Sequence, residues 1–504
     1  MFQTDVTTHS GGCPLITHPL RLRLALLAVG VTVLSLMPTM RPALSAAEPA
    51  SRPNIVLVMA DDQGWGETGY NGHPILKTPH LDAMAAAGLR LDRFYAGAPV
   101  CSPTRAAVLT GRNCQRAGVP EHGYALRHQE ITLPQLLADA GYQTAHFGKW
   151  HLDGLRGPGV PILASDPFHP GTFGFSHWLS VTNFYDRDPL LSLEGEFVGY
   201  LGDSSDVIID QALTHIRQQA GNDQPFFDVI WYGTPHSPFR ASQDDRRAFS
   251  DLDENSQHHY GELVALDRSL GTLRAGLRQL GLQENTLLWY CSDNGGLPKI
   301  EPPTTGGLRG HKGTIFEGGL RVPCVMEWPG TIQPRRSSYP ASVMDILPTV
   351  LELAGVEYPE PQRPRDGISL TKLFHPDAEG ADAERDQPIC FRYRGAAAIV
   401  DNDWKLLSQN VAQGQFQLYD LSRDVAEAND AAAAAPERAK SLETKLQDWL
   451  ASVDASIAGK DYPSGTVDAN HPQPSYWVDH PDYQPYLDRW QSRWQYGDWI
   501  RRRR

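Results

Sequence analysis

The sequence is poor in cysteine, poor in positive charge and without a hydrophobic run of membrane-spanning length. Six cysteines in 504 residues, none in a Cys-x-x-Cys pair, exclude the thiolate spacing of a structural zinc site. In an oxidising compartment Cys114, Cys291, Cys324 and Cys390 could close at most two disulfides, and the spacing does not say which. Lysine and arginine number 45 against 59 acidic residues, a formal net charge of −14. That balance argues against a general nucleic-acid binder. An anionic ligand would have to be drawn to a local cationic pocket, because the overall field repels it. Internal repeats are absent, which excludes solenoid and propeller architectures.

What is present begins with Arg21 and Arg23, an apolar run over Leu24 to Met37, and the small residues Ala43, Ser45, Ala46 and Ala47. This is the layout of a secretory signal peptide, with cleavage near Ala46 or Ala47. It sends the mature chain to the periplasm or outside the cell, with no stable membrane span after signal removal and with Cys13 lost. A retained anchor is the alternative, for which the run is short. The remainder, 41% hydrophobic and 21% charged, has the composition of a soluble globular protein. Its length implies one large α/β domain and a smaller one.

Four segments share one layout. Asn54 to Ala60 is a continuous apolar run, as for a strand buried on both faces of a parallel sheet, and it ends in Asp61-Asp62. Adjacent carboxylates repel unless a cation or a shared proton compensates them. A hard cation such as calcium suits them, and so does a plain surface turn. The strand over Tyr142 to Phe147, preceded by a helix over Leu133 to Ala140 with Thr132 as N-cap, leads into Gly148-Lys149-Trp150-His151. In extended chain, Lys149 and His151 point the same way. Phe226 to Tyr232 leads into Gly233-Thr234-Pro235-His236-Ser237-Pro238, where the prolines forbid further strand and hold His236 on a turn. Thr286 to Cys291 leads into Ser292-Asp293-Asn294-Gly295-Gly296. Each ending alone could be a turn or a solvated surface. In alternating α/β chains, however, the carboxyl ends of strands converge on one crevice where ligands bind. One site explains all four more economically than four accidents.

The stretch Cys101-Ser102-Pro103-Thr104-Arg105 and its continuation to Leu109-Thr110-Gly111-Arg112 reads as a helix start. Ser102 is expected as the N-cap, Pro103 at the first helical position and Gly111 as the stop. Cys101 then faces unpaired N–H groups and the positive end of the helix dipole, a ready anion site. Arg105, four residues on, adds a positive fork. The glycine-rich stretch Gly306 to Gly313 lets Lys312 approach a ligand closely, and Phe316 to Pro323 follows it. Lys312 lacks the spacing of a Walker phosphate loop.

The pattern Cys-x-Pro-x-Arg with its Leu-Thr-Gly-Arg extension resembles the type I sulfatases. Asp61-Asp62, the Cys101 motif, Gly148 to His151, Pro235-His236, Ser292 to Gly295 and Lys312 to Pro323 occur in the order found in that family, a resemblance running from about Asn54 to Pro329. It implies an alkaline-phosphatase-like fold: a large, mixed, mostly parallel sheet sandwiched by helices, with a smaller C-terminal antiparallel-sheet α+β domain. It implies that Cys101 is converted to formylglycine (3-oxoalanine) by a formylglycine-generating enzyme or an anaerobic maturase. Calcium would be held by Asp61, Asp62, Asp293 and Asn294. The hydrated aldehyde would attack sulfur and form a covalent sulfo-enzyme intermediate. Arg105 and Lys149 would stabilise charge, His151 would take the proton that releases sulfate, and His236 with Lys312 would protonate the leaving oxygen. The substrate so implied is a sulfated carbohydrate or an aryl sulfate ester. The alternatives are a phosphonate monoester or phosphodiester hydrolase of the same superfamily, and a non-catalytic binder of sulfated glycan.

Residues 1–47 are thus expected as signal peptide, 52–358 as catalytic domain, 359–386 as a Pro- and charge-rich linker, and 387–455 as the small domain. That domain should hold short strands near residues 390, 397, 404 and 416 and an amphipathic helix over Glu437 to Val453. The irregular stretch 153–203, rich in Gly, Pro and aromatics, is expected to wall the substrate pocket. The tail 456–504 ends in Arg501 to Arg504 and places Trp490 and Trp494 on one helical face. Packing against the body is its simplest role, and contact with a polyanionic glycan or a membrane surface is the alternative.

Overall fold

Strand β1 (Asn54–Ala60) is wholly buried and divides its side chains between two cores. Ile55, Leu57 and Met59 belong to one cluster; Val56, Val58 and Ala60 belong to another. Alternate residues of a strand point to opposite faces, so β1 runs through the middle of a sheet covered on both sides. The computed structural model describes residues 52–222, 224–375 and 384–503. The expected signal peptide and part of the expected linker lie outside the described residues. The chain from Ser51 to Arg504 forms one compact unit.

The main sheet also contains β2 (Leu89–Leu91), β3 (Gln143–Lys149), β4 (His177–Val181), β5 (Leu190–Leu193), β6 (Glu196–Gly199), β7 (Phe226–Trp231), β8 (Thr286–Ser292), β9 (Cys324–Glu327) and β10 (Arg335–Ser337). Its ten strands run in the order β10-β2-β9-β8-β1-β7-β3-β4-β5-β6. The central strands from β8 to β4 are mutually parallel; β9 joins β8 antiparallel, and β5 and β6 are antiparallel additions at the other edge. The expected mixed, mostly parallel sheet is therefore present.

Helices α1 (Pro79–Ala87), α2 (Cys101–Thr110), α3 (Leu133–Asp139), α4 (Ser204–Gln219), α5 (Glu254–Gln279) and α6 (Ile346–Ala354) cover it. One face packs against α2, α3 and α6 through Leu109, Leu137 and Leu347. The other packs against α4 and α5 through Ile208, Ala212, Leu266 and Leu270. Side-chain caps set the starts: Asp203 accepts from Ser205 N for α4, Asp253 from Ser256 N for α5, and Thr132 with Gln135 forms a capping box for α3.

The second sheet comprises β11 (Ile389–Tyr393), β12 (Ala396–Asp401), β13 (Trp404–Ser408) and β14 (Gln417–Asp420), antiparallel throughout, with α7 (Pro436–Ile457) packed on it through Leu442 and Leu446. The described part of the stretch expected as a linker is firmly packed. Asp366 accepts from Arg116 and from Asn113 N, and Arg385 makes a bidentate pair with buried Asp345 at 2.7 and 2.8 Å. No helix among the described residues is long and apolar enough to cross a membrane.

One buried ion cluster ties the small sheet to the segment that follows the glycine-rich loop. Lys405 of β13 pairs with Glu317 and Glu427, each at 2.9 Å, with all three side chains out of contact with water. Removing the cation would leave two buried carboxylates facing each other. Lys405→Met should lower stability by about 3–5 kcal/mol, measured as a reduced urea midpoint. An unchanged midpoint would show that the cluster contributes nothing net.

Candidate active site

The four central strands end in one plane. Ala60 pairs with Ser292, Met59 with Trp231 and Gly148 with Trp231, so the residues that follow emerge side by side. Backbone bonds extend the alignment past the sheet: Asp61 N donates to Thr234 O at 3.0 Å, and Asp293 N to Ala60 O at 3.1 Å. Asp62 N donates to Asp293 Oδ1 at 3.1 Å. Asp62 adopts the left-handed conformation (φ 74°), which turns the second carboxylate away from the first.

Every acid here meets a base. Lys149 Nζ lies 2.7 Å from Asp61 Oδ2, Lys312 Nζ 2.6 Å from Asp62 Oδ1, and Arg105 Nη2 2.7 Å from Asp293 Oδ2. Arg105 also donates to the Lys149 carbonyl at 3.1 Å and lies 5.0 Å from the centre of the Trp231 ring. These side chains are fully buried, except for Lys312 at 20% exposure. Burial pushes the Asp61 carboxyl up to about 8 against the pull of Lys149. At Asp62 burial acts the same way, but Lys312 and His236 outweigh it and hold that carboxyl well below the usual range.

Cys101 opens α2 itself. The helix begins at Cys101 with Val100 as an N-cap that offers no side-chain bond, and it ends at Gly111 in the left-handed conformation. The expected start at Ser102-Pro103 is therefore corrected. Ser102 Oγ instead accepts from Gly123 N at 2.9 Å, so a tertiary partner replaces the local cap. Pro103 is accommodated because a first-turn residue needs no N–H. The earlier start puts Cys101 and Arg105 four residues apart on one helix. Burial raises the Cys101 thiol's pKa, and Lys149 and Lys312 pull it down.

His236 Nε2 lies 3.8 Å from Asp62 Oδ2, and its Nδ1 donates to the Ser237 carbonyl at 2.6 Å. Burial and the Lys312 charge push its pKa well down. His151 is 1% exposed, and neither of its ring nitrogens has a partner. Burial holds it neutral, with Lys149, Arg105 and His236 adding repulsion. The expected strand alternation of Lys149 and His151 is corrected: β3 stops at Lys149, and His151 is left-handed (φ 59°). It is held by a bond from its N–H to Thr182 O at 3.0 Å.

The donors suit a hard cation. Ligand atoms of Asp61, Asp62 and His236 lie within 4.8 Å of one another, as do those of Asp61, Cys101 and Asp293, so Asp61 joins both groups. Asp61 Oδ1 and Asn294 Oδ1 are buried without a hydrogen-bond partner, while the Asn294 amide donates to Asp62 Oδ1 at 2.8 Å. Orphaned buried oxygens are rare and call for a partner, and a mainly oxygen set is the chemistry of calcium or magnesium. All ten residues expected for the site are thus brought together or border it.

The motifs did not reveal Phe184, whose ring stacks on His236 with centroids 4.6 Å apart, or Tyr393 of the small sheet, whose ionisation is opposed by burial, by Glu121 and by Cys101. Only the aromatic richness of 153–203 pointed toward the first. Nothing in the sequence pointed to the second.

A family model described as Sulfatase matches residues 53–356, and one described as N-sulphoglucosamine sulphohydrolase, C-terminal, matches 310–456. Arylsulfatase A of Homo sapiens is 32% identical over 495 residues, covering 84% of this chain and 92% of the relative. N-acetylgalactosamine-6-sulfatase of Sus scrofa is 36% identical over 387 residues, covering 68% and 69%. The crystal structure of Ps i-CgsB in complex with k-i-k-neocarrahexaose superposes with a TM-score of 0.71 at 25% identity, covering 88% of this chain and 99% of that one.

Close backbone approach sets one constraint that can be tested directly. Gly295 N donates to Gly319 O at 3.0 Å, and a Cβ on Gly295 would lie 2.0 Å from the Gly318 carbonyl oxygen. Gly295→Ala should destabilise the fold by about 1–3 kcal/mol and separate Asp293 from Lys312, read as a lower Tm together with reduced turnover. A variant that kept both would show this approach to be soft.

Proposed function

The chain belongs to the sulfatase family and is a sulfuric ester hydrolase, and on that premise we propose that it cleaves a sulfate ester on a carbohydrate, using calcium and a formylglycine at position 101. The observation that carries this reading is the buried meeting of three carboxylates and three cations at the head of the Cys101 helix. With all three carboxylates ionised the charges within that group balance, and they then offer an anion little net attraction by themselves. A divalent ion among Asp61, Asp62, Asp293 and Asn294 would supply that attraction and orient the ester.

Each residue then has a task that its position permits. The N-terminus of α2 and Arg105 face the charge that develops on the sulfuryl oxygens. Lys149 holds Asp61 and borders the same oxyanion. Formylglycine at 101 supplies a hydrated aldehyde as nucleophile where a thiol has no second hydroxyl. His151, neutral and with both ring nitrogens free, is the base that takes a proton from position 101. His236 has Nδ1 tied to Ser237, so Nε2 faces the site as an acceptor; a proton taken up there from the neighbouring Lys312 ammonium would be passed on to the leaving oxygen. The sulfatase relatives that act on amino sugars, and the solved complex with an oligosaccharide, favour a sulfated sugar over a small aryl ester. Export, a signal peptide and a maturase acting before secretion complete the reading.

Purified protein should release sulfate from sulfated saccharides, lose that activity to a chelator and regain it with calcium. Peptide mass analysis of active enzyme should find an aldehyde in place of the Cys101 thiol, and an ordinary thiol there would end the formylglycine proposal. Matched phosphate and phosphonate esters should react more slowly, and the reverse order would favour the phosphonate or phosphodiester hydrolase. His236→Ala should lower kcat on a sugar sulfate by about 10²–10⁴-fold and much less on an aryl sulfate with an acidic phenol, because a good leaving group needs no proton. Equal losses on both would remove His236 from the acid role.

A further inference from the structure

A cavity of about 250 Å³ opens directly beside His236. Three separate parts of the chain wall it. The irregular stretch supplies Phe184 and Asp186, the turn after β7 supplies His236 and Arg240, and the C-terminal tail supplies Trp494, Trp499 and Arg502. The two family models end at residues 356 and 456, so the tail wall lies beyond both.

The tail is firmly placed. Trp477, Tyr483, Trp490 and Tyr496 form a core with Leu155, Val160 and Leu163 of the irregular stretch. Ser475 and Tyr476 pair as a short parallel strand with Leu155 and Arg156. Tyr483 Oη donates to the Pro161 carbonyl at 3.1 Å, and Arg493 donates to the Asp188 carbonyl at 2.8 Å. The expected sharing of one helical face by Trp490 and Trp494 is corrected. The helical turn stops at Trp490, which is 1% exposed, while Trp494 is 39% exposed at the cavity.

The terminal arginines are not equivalent. Arg501 is bonded to Asp498 and Arg503 to Asp479. Arg502 has no carboxylate partner among the described residues and borders the cavity. Arg240, likewise without an ion-pair partner among them, lies 4.2 Å from the centre of the Trp494 ring. Of the two acids on the wall, Asp498 is the one engaged by Arg501. Burial raises the Asp186 carboxyl well above its usual range, against the pull of a bond from the Arg187 backbone and of the Arg240 charge. Two guanidinium groups outside ion-pair distance of any carboxylate among the described residues, on one small cavity in a chain of net charge −14, make a local attraction for an anion. The aromatic faces beside them suit the apolar face of a sugar ring.

We propose that this cavity is a substrate subsite for a saccharide bearing a second anionic group, a carboxylate or another sulfate, and that the C-terminal tail is the element that selects it. The inference rests on the sulfate-ester reading above and adds which sugars are taken. The saccharide bearing the reacting ester leaves past His236, and its second anion lies between Arg240 and Arg502. Neither arginine touches the reacting atoms; both act on binding.

The test compares kcat/KM on a monosulfated neutral sugar, its disulfated counterpart, and a sulfated disaccharide with and without a uronate. Arg240 and Arg502 are exposed, so Arg240→Gln and Arg502→Gln should keep the fold, checked by an unchanged Tm. Each should lower kcat/KM on the doubly anionic member of a pair by about tenfold, through KM, so that the preference within the pair collapses. The pair that responds identifies sulfate or carboxylate as the second anion. Calorimetric binding of the same sugars to Cys101→Ala protein separates two failures. Binding weakened by Arg502→Gln without sulfate release from the unsubstituted protein would overturn the hydrolase reading and keep the subsite. Turnover and binding that fall equally for both members of each pair, or in neither, would overturn the subsite.

Discussion

The adjacency of Asp61 and Asp62 is the constraint from which the rest of the site follows. Two like charges at the end of a buried strand repel by about 4 kcal/mol at 4 Å in a medium of intermediate polarity. The chain resolves this by sending them to different partners, Asp61 to Lys149 and Asp62 to Lys312. The left-handed turn at Asp62 makes the divergence possible. Lys149 comes from the end of β3, Lys312 from the glycine-rich loop and Arg105 from α2. Neutralising one dipeptide thus requires three distant segments to meet, and their meeting is the site.

That logic accounts for what the sequence made legible. Of the four buried strands β1 is a continuous apolar run and β7 and β8 are nearly so, and each of the four is cut short by charged or turn-forming residues, so the place where chemistry begins can be read directly. Parallel order then brings Asp61, Lys149, His236 and Asp293 to one edge without further information. The small sheet and α7 are equally readable from alternation and helical periodicity, to within four residues at every end. What failed to show was decided by partners far away in the chain. Ser102 has the propensity of an N-cap, yet its hydroxyl is taken by Gly123, and the helix starts two residues earlier. Lys149 and His151 reach one region by a turn in place of strand alternation, since no pattern of polar and apolar residues encodes a positive φ at His151. Phe184 under His236, and the tail beside it, belong to segments without periodicity, whose positions are set by aromatic packing and a few long-range backbone contacts.

The division between what was legible and what was not follows a division of labour. The residues around Cys101 are tied by short, buried, charge-assisted bonds and by backbone contacts that leave no room for a side chain at Gly295. Such a centre tolerates little change. The cavity beside it is lined by long exposed side chains and held by an aromatic cluster, which can exchange one residue for another while preserving volume and apolar area. Chemistry is thereby fixed on the sheet and selection is carried on the irregular stretch and the tail.

The overall charge gives that division a physical reason. A chain with net charge −14 repels sulfated sugars at long range, yet over distances beyond about 8 Å physiological salt screens most of that repulsion. Capture therefore depends on charges within a Debye length of the mouth. The carboxylates and cations at the centre are buried and paired with one another, so they add little to the field outside. Arg240 and Arg502, exposed and without ion-pair partners among the described residues, are positive charges on the wall of the cavity beside His236. On the proposed reading an anionic glycan would be admitted by the rim before it is oriented by the centre, and weakening the rim would raise the concentration of substrate needed without altering the step at position 101.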